Sequence, residues 1–174
     1  ASTRSALALA QLCYQTLIED GPEALRAVSL QAVTPALERI VEANTLLSGL
    51  GFESSGLAAA HAVHNGLTAA PPTRRFYHGE KVAFGVIVQL VLEGASRAQF
   101  AEVFRFSQAV GLPVTLAQIG CDDLAAETLL QVAARTTAPG ETIHNEPFEV
   151  TAAMVHDAIL AADAAGRAWL DSGM

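Results

Sequence analysis

Residues 56–66 read Gly-Leu-Ala-Ala-Ala-His-Ala-Val-His-Asn-Gly, and this run decides the fold. Alanine has the highest helix propensity, so the run predicts a helix. The alanines and the flanking glycines leave room for neighbouring backbone to approach closely, which predicts that the helix is deeply buried. His61 and His64 are three residues apart and therefore project from one face of this helix.

The composition of the whole chain agrees with closely packed helices. Of the 174 residues, 51% are hydrophobic and only 6% are aromatic, and this apolar fraction excludes an intrinsically disordered chain. Only residues 114–119 have a strand-like composition, and no partner strand accompanies them. We therefore predict an all-α fold, a bundle-like domain of about seven or eight helices spanning residues 1–174.

Prolines, glycines and capping residues divide the chain into the predicted helices. Asp20-Gly21-Pro22 predicts the end of one helix and the start of another, and Ala70-Pro71-Pro72 predicts a second break. Candidate N-caps are Thr34, Ser54 or Ser55, Ser96, Asp122 and Thr151. The predicted helices cover residues 6–19, 22–32, 36–47, 55–67, 78–92, 97–110, 123–136 and 152–169.

The charge balance excludes several classes of partner. Eighteen acidic residues against ten basic ones give a net charge of −8, and Lys81 is the only lysine. Binding to nucleic acid or to an anionic membrane surface needs a basic patch, so we expect neither partner. No run reaches the roughly 18 consecutive apolar residues that a membrane span requires.

The cysteines and the first residues bear on location. Cys13 and Cys121 do not form a CxxC pair, which indicates a reducing compartment. The first ten residues contain no signal-peptide cleavage pattern, so we expect a cytoplasmic protein. The high hydrophobic fraction predicts that part of the surface is covered within a larger parent chain or an oligomer.

His78 adds a third imidazole to the pair on the buried helix. It follows His61 by 17 residues, lies beyond the proline break and starts the next predicted helix. If the connecting loop folds back, imidazoles from two helices converge in an apolar pocket, which suits zinc. A catalytic zinc site needs about three protein ligands and an open position, and this spacing offers two. The alternative is that His61 and His64 are core histidines satisfied by local hydrogen bonds.

Other polar residues are weaker candidates. Glu53 and Glu80 could each supply a carboxylate ligand, although a glutamate near a helix start more often interacts with the helix dipole or caps the helix. We expect His144 to lie on a loop surface and His156 on an exposed helix face.

Two stretches carry a family resemblance. Residues 51–68 read Gly-Phe-Glu-Ser-Ser-Gly-Leu-Ala-Ala-Ala-His-Ala-Val-His-Asn-Gly-Leu-Thr, and residues 78–85 read His-Gly-Glu-Lys-Val-Ala-Phe-Gly. They closely resemble bacterial glycerol-oxidising members of the iron-containing (group III) alcohol dehydrogenase family. The likeness continues through residues 7–14, 33–39, 111–118 and 140–145, so it covers essentially the whole chain.

The resemblance implies a fold, a site and a reaction. It implies the C-terminal helical domain of a dehydroquinate synthase-like fold, in which His61 and His78 are zinc ligands. His64 would lie beside the metal as a candidate catalytic residue, and Phe52 would line the substrate pocket. The implied reaction is the NAD-dependent oxidation of glycerol to dihydroxyacetone, or of a related small diol to the corresponding product. Zinc would act as a Lewis acid. Ser55 stands where the family pattern has glycine.

The resemblance also implies parts that precede these residues in the family. These are the nucleotide-binding half, which holds most of the NAD, and an aspartate that completes the zinc site. We therefore expect the 174-residue chain to be inactive alone and to form a homo-oligomer within a full-length protein. Two alternatives stay open: a catalytically silent helical domain with a packing or oligomerisation role, and a remodelled zinc site that recruits Glu53 or Glu80.

Overall fold

The computed structural model describes residues 3–173, and every regular element among them is helical. There are eight α-helices in this range, which confirms the predicted all-α class. They are α1 (Arg4–Ser29), α2 (Pro35–Glu42), α3 (Ser48–Ser55), α4 (Ala59–Leu67), α5 (His78–Leu92), α6 (Arg97–Val110), α7 (Ala126–Thr136) and α8 (Ala152–Asp171). One turn of π-helix, Ala43–Leu47, joins α2 to α3. Short 3₁₀ turns occupy Pro71–Arg75, Ala117–Ile119 and Thr142–Asn145.

The chain divides after Gly56 into two compact units. The N-terminal unit contains α1, α2 and α3, and the C-terminal unit contains α4 to α8. The expectation of one domain over residues 1–174 stays a prediction. Within residues 3–173, none of the helices combines the length and the apolar character that crossing a membrane would take.

The N-terminal unit contains a helix that the sequence analysis divided wrongly. The structure has one continuous helix, α1, with Pro22 inside it, where two helices meeting at residues 20–22 were expected. Gly21, Ala24 and Ala27 form a buried stripe that continues past the proline, and α1 packs against α2 and α3 along its length. An interior proline costs about 3 kcal/mol, and such tertiary packing of an apolar face offsets this cost.

The second helical run of this unit is also longer than expected. Thr34 caps α2 as predicted, since its hydroxyl oxygen accepts from the Leu37 N–H at 3.3 Å. The run then continues through the π-turn into α3 and ends only at Gly56, whose φ of +82° is a left-handed conformation. Ser54 and Ser55 are therefore not N-caps of the histidine helix. The Ser55 hydroxyl instead donates back to the Gly51 carbonyl at 2.6 Å.

The helix boundaries of the C-terminal unit agree better with the sequence. α5 has its predicted bounds, and Ser96 caps α6, which ends at Gly111 with φ +75°. Thr151 caps α8, its hydroxyl accepting from the Met154 N–H at 3.3 Å. The expected cap at Asp122 is wrong: α7 begins after Ala125, and the Asp122 carboxylate pairs with Arg167 at 3.3 Å. The strand-like residues 114–119 lead into the short 3₁₀ turn instead of a strand.

Glycines allow α4 to lie unusually close to two other helices. A Cβ on Gly85 of α5 would stand 2.3 Å from the Ala60 carbonyl oxygen. A Cβ on Gly66 of α4 would stand 2.1 Å from the Thr136 hydroxyl of α7. No side chain tolerates such distances, so only glycine permits these approaches. α4 is consequently held between α5 and α7, with Ala59, Ala62 and Val63 fully buried, as the sequence predicted for this run.

Candidate functional site

Three histidines come together where α4 faces the start of α5. The ring centroids of His61 and His78 are 5.4 Å apart, and those of His64 and His78 are 4.2 Å apart. His78 Nδ1 lies 3.2 Å from His64 Nε2, within hydrogen-bonding distance. His61 and His64 are half-buried and His78 is exposed, so the cluster lies at the surface of the C-terminal unit.

A tightly folded turn brings His78 back onto α4. Thr73, which is fully buried, donates its hydroxyl to the carbonyls of Leu67 and Ala70 at 2.8 and 2.9 Å. The Tyr77 N–H donates to a Glu80 carboxylate oxygen at 2.6 Å, which fixes the start of α5. The loop therefore folds back as the zinc hypothesis required, and Glu80 serves as a helix cap.

Distant side chains hold the start of α4, which has no capping side chain of its own. The Ala59 N–H donates to Glu146 Oε1 at 2.9 Å, and the Ala60 N–H donates to Gln89 Oε1 at 3.0 Å. These bonds satisfy two of the four N–H groups that a helix start leaves unpaired. Burial raises the pKa of the Glu146 carboxyl, and the bond from Ala59 partly opposes this shift.

The loop that supplies Glu146 holds the preceding residues as well. Thr142 donates its hydroxyl to the Ala58 carbonyl at 2.8 Å, and Asn145 donates its amide to the Leu57 carbonyl at 2.7 Å. Residues 141–146 therefore act as a clamp along the beginning of the histidine helix. A helix fixed in this way places His61 and His64 in defined positions relative to His78.

Electrostatics keep the two half-buried imidazoles in the neutral form. Burial lowers the pKa of His61, and the neighbouring His78 and His64 lower it further. Burial also lowers the pKa of His64, against the opposing effect of its bond to Asn65, with smaller contributions from His78 and Lys81. A neutral imidazole carries the nitrogen lone pair that a metal ligand needs.

The side chains at this site are of a type that binds zinc, but there are too few of them for a complete site. Imidazole nitrogen is a favoured zinc donor, and His61 and His78 present two such rings from two helices. His64 Nε2 faces His78 Nδ1, so His64 is engaged with another histidine in this arrangement. Across residues 3–173 no group of three or more histidine, cysteine, aspartate or glutamate side chains is arranged to hold a metal ion. These residues thus fit part of a zinc site.

The remaining sequence candidates lie elsewhere. His144 is exposed and contacts the Ala138 carbonyl at 3.2 Å, whereas His156 is partly exposed and pairs with Asp157 at 2.9 Å. Phe52 and Glu53 belong to the N-terminal unit and are exposed. Phe52 is 50% exposed and borders an open groove lined by residues of α1, α3 and the π-turn.

Sequence reasoning missed the hydrogen-bonded side chains behind the histidines. Asn65 Oδ1 lies 3.0 Å from His64 Nδ1, and Asn65 Nδ2 donates to Glu141 Oε2 at 2.7 Å. Asn65 and Glu141 are 76 residues apart, so no local spacing signals this contact. The only available signal was that both lie in stretches that carry the family resemblance.

Comparisons with known proteins find relatives that match nearly the whole of this chain. It is 58% identical over 170 residues to glycerol dehydrogenase of Pseudomonas putida, an alignment that covers 98% of this chain and 47% of the relative. It is 56% identical over 165 residues to glycolaldehyde reductase of Halobacterium salinarum, covering 95% of this chain and 45% of that protein. No family model matches the chain.

A solved structure extends the similarity to the fold. The crystal structure of glycerol dehydrogenase from Schizosaccharomyces pombe matches with a TM-score of 0.95 at 40% identity, over 99% of this chain and 45% of that one. The matched part is the C-terminal half of the neighbour. The chain therefore spans about half the length of the relatives it matches.

Proposed function

We propose that this chain belongs to the glycerol dehydrogenase family, whose members it matches along their C-terminal half. In this proposal it is the metal-binding helical domain of a zinc- and NAD-dependent enzyme that oxidises glycerol to dihydroxyacetone. The observation that carries the proposal is the convergence of His61 and His78, whose ring centroids are 5.4 Å apart on two rigidly packed helices. A role as core histidines would leave His61 and His64 fully buried, whereas both are only half-buried and lie against the exposed His78.

In this proposal the residues of the chain hold and orient the metal. His61 and His78 bind it through ring nitrogens, and the lowered pKa of His61 keeps that ring unprotonated near neutral pH. When bound, zinc would supply a Lewis acid that lowers the pKa of a substrate hydroxyl, and NAD would supply the hydride acceptor. Phe52 supplies apolar lining to the substrate pocket, and a direct catalytic role for His64 stays a prediction.

The rest of the proposed enzyme provides the other components. Nucleotide-binding folds of the doubly wound type are built on parallel strands, and residues 3–173 contain no strand. We therefore assign most of the NAD contacts, and the third zinc ligand, to the part of the relatives that this chain does not span. The substrate class is glycerol or a related small diol. A relative named glycolaldehyde reductase at 56% identity supports a class of small hydroxylated substrates instead of glycerol alone.

A second candidate function has its own support. Large apolar side chains are exposed mainly on the N-terminal unit, among them Leu30 at 77% and Val33 at 80%. Such a surface suits packing against another chain or domain, as in a catalytically silent helical domain that serves assembly. NADH formation from glycerol by a preparation containing only this chain would eliminate the silent-domain candidate.

A zinc titration of the purified chain tests the metal assignment. We expect one zinc ion per chain, bound more weakly than at a complete site, and at least a tenfold loss of affinity in both His61→Ala and His78→Ala, in line with the ~10–100-fold that even outer-shell partners contribute. His144→Ala is the matched control, because the His144 ring lies against the Ala138 carbonyl at 3.2 Å and not against another histidine, and it should bind zinc like the parent. Equal affinity in all four proteins would refute the assignment.

A further inference from the structure

Four side chains form one continuous row of hydrogen bonds that ends at His78. Glu141 Oε2 accepts from Asn65 Nδ2 at 2.7 Å, and Asn65 Oδ1 lies 3.0 Å from His64 Nδ1. His64 Nε2 in turn lies 3.2 Å from His78 Nδ1. The row runs from the clamp loop, across α4, to the first residue of α5. The reaction proposed above uses only its last member.

The chemistry of the first member sets the direction of every bond in the row. A carboxylate offers only acceptors, so Asn65 must turn its NH₂ group toward Glu141. Its carbonyl oxygen then faces His64, and an oxygen acceptor requires that His64 Nδ1 carry the hydrogen. In a neutral imidazole the other nitrogen is an acceptor, so His64 Nε2 receives the Nδ1–H of His78.

We propose that Asn65 and Glu141 are positioning residues which, through His64, fix His78 as its Nδ1–H tautomer. The Nε2 lone pair of His78 is then the one left free to bind a metal or to accept a proton. A histidine without such a partner can present either nitrogen, and the hydrogen bond at one ring nitrogen decides which is metallated.

The backbone around Asn65 makes the row rigid. Arg135 of α7 donates its Nε–H to the Asn65 carbonyl at 3.1 Å, so both the main chain and the side chain of Asn65 are held. The Glu141 N–H donates to the Ala138 carbonyl at 3.1 Å, which anchors the residue that starts the row. Asn65 and Glu141 are both partly buried, so the bond between them is partly shielded from competing water.

The inference states which ring nitrogen of His78 carries the proton. It rests on the proposed function only where it predicts a change in zinc affinity. Imidazole ¹⁵N NMR of the metal-free protein distinguishes a protonated from an unprotonated ring nitrogen directly. In the parent we expect a protonated Nδ1 and an unprotonated Nε2 on His78. In Asn65→Leu we expect both tautomers of His78, because His64 no longer has an acceptor that dictates its own.

Two further variants separate positioning from folding. Glu141→Asp keeps an acceptor-only carboxylate toward the Asn65 amide and should retain more of the parent tautomer than Glu141→Ala, which should lose it. Gln118→Leu is the matched control, because the Gln118 amide oxygen accepts from the Val114 and Thr115 N–H groups at 2.7 and 3.2 Å and bonds no histidine. It should leave His78 unchanged even if the protein is less stable. If Asn65→Leu does not fold, the pair of Glu141 variants gives the answer.

A zinc titration of the same proteins distinguishes failure of this inference from failure of the proposed function. We expect Asn65→Leu and Glu141→Ala to bind zinc about 10–100-fold more weakly than the parent. A protonated Nε2 on His78 in the parent, or an unchanged tautomer in Asn65→Leu and Glu141→Ala, would overturn the inference. The expected tautomers without zinc binding by any of these proteins would confirm the row and refute the metal assignment.

Discussion

At the scale of single residues, glycine determines how closely the histidine-bearing helices approach. Gly85 lies against the Ala60 carbonyl, one residue before His61, so the spacing of α4 and α5 depends on a missing side chain. The sequence suggested this role, because glycines and alanines surround both histidine motifs. It could not show which glycine meets which backbone atom, since that depends on how the two helices pack against each other.

Substituting this glycine should push the helices apart. We expect Gly85→Ala to lower the free energy of unfolding by about 1–3 kcal/mol, because its Cβ would stand 2.3 Å from a backbone oxygen. Gly79→Ala, in the same helix, meets nothing within 4 Å and should be neutral or raise stability by up to about 1 kcal/mol. Urea unfolding of the two variants checks the prediction, and equal effects would show that α4 and α5 are not in close contact at Gly85.

The buried Glu146 carboxyl should make stability depend on pH. Burial raises the pKa of this carboxyl in the folded protein above its ordinary value of 4.5, so the folded state holds the proton more tightly than the unfolded state. Its contribution to stability is therefore present at low pH and declines as the pH rises from about 4.5 through the folded pKa. Glu146→Gln keeps an oxygen for the Ala59 N–H and removes the titration.

Unfolding free energies measured at several pH values between 4 and 7 test this effect. The stability of Glu146→Gln relative to the parent should increase as the pH rises. A relative stability that stays constant across the range would contradict the assigned pKa direction.

At the scale of elements, the sequence predicted the helices with complete capping signals. α5, α6 and α8 have bounds within two residues of those expected, because Ser96 and Thr151 cap α6 and α8 directly and Pro71-Pro72 separate α4 from α5. It failed where tertiary packing overrides a local signal. Pro22 did not end α1, and α4 begins without a local cap because Glu146 and Gln89 reach it from far along the chain.

The proline inside α1 gives a direct test of this explanation. We expect Pro22→Ala to raise the free energy of unfolding by between about 1 and 3 kcal/mol, since an N–H becomes available to the carbonyl one turn earlier. Pro35→Ala is the control, because Pro35 is the first residue of α2, where no N–H is required. Thermal unfolding measures both. A loss of stability in Pro22→Ala would mean that a helix boundary lies at residues 20–22, as the sequence first indicated.

At the scale of the whole molecule, the sequence identified the all-α class and the converging histidines, and it left the donor set short of one ligand. Within residues 3–173 the regular elements are all helical, and His61 and His64 both lie against His78. Large apolar side chains remain exposed, most of them on α1, α2, α3 and their connections. No local pattern reveals what covers them, because a covering surface lies outside the residues that form the patch.

This exposed surface should make the chain associate. Despite a net charge of −8, we expect the purified chain to form oligomers or to bind a hydrophobic dye at high concentration. Light scattering coupled to size-exclusion chromatography gives the mass. A monodisperse monomer that binds no dye would show that the exposed apolar side chains do not drive association.

The most direct test of the metal assignment is an anomalous-difference map at the zinc edge from crystals grown with zinc. We expect a peak about 2.0–2.1 Å from one ring nitrogen of His61 and from Nε2 of His78. We expect no peak at His144 or His156. A zinc ion bound only at those surface histidines, or bound to Nδ1 of His78 instead of Nε2, would contradict the proposed site.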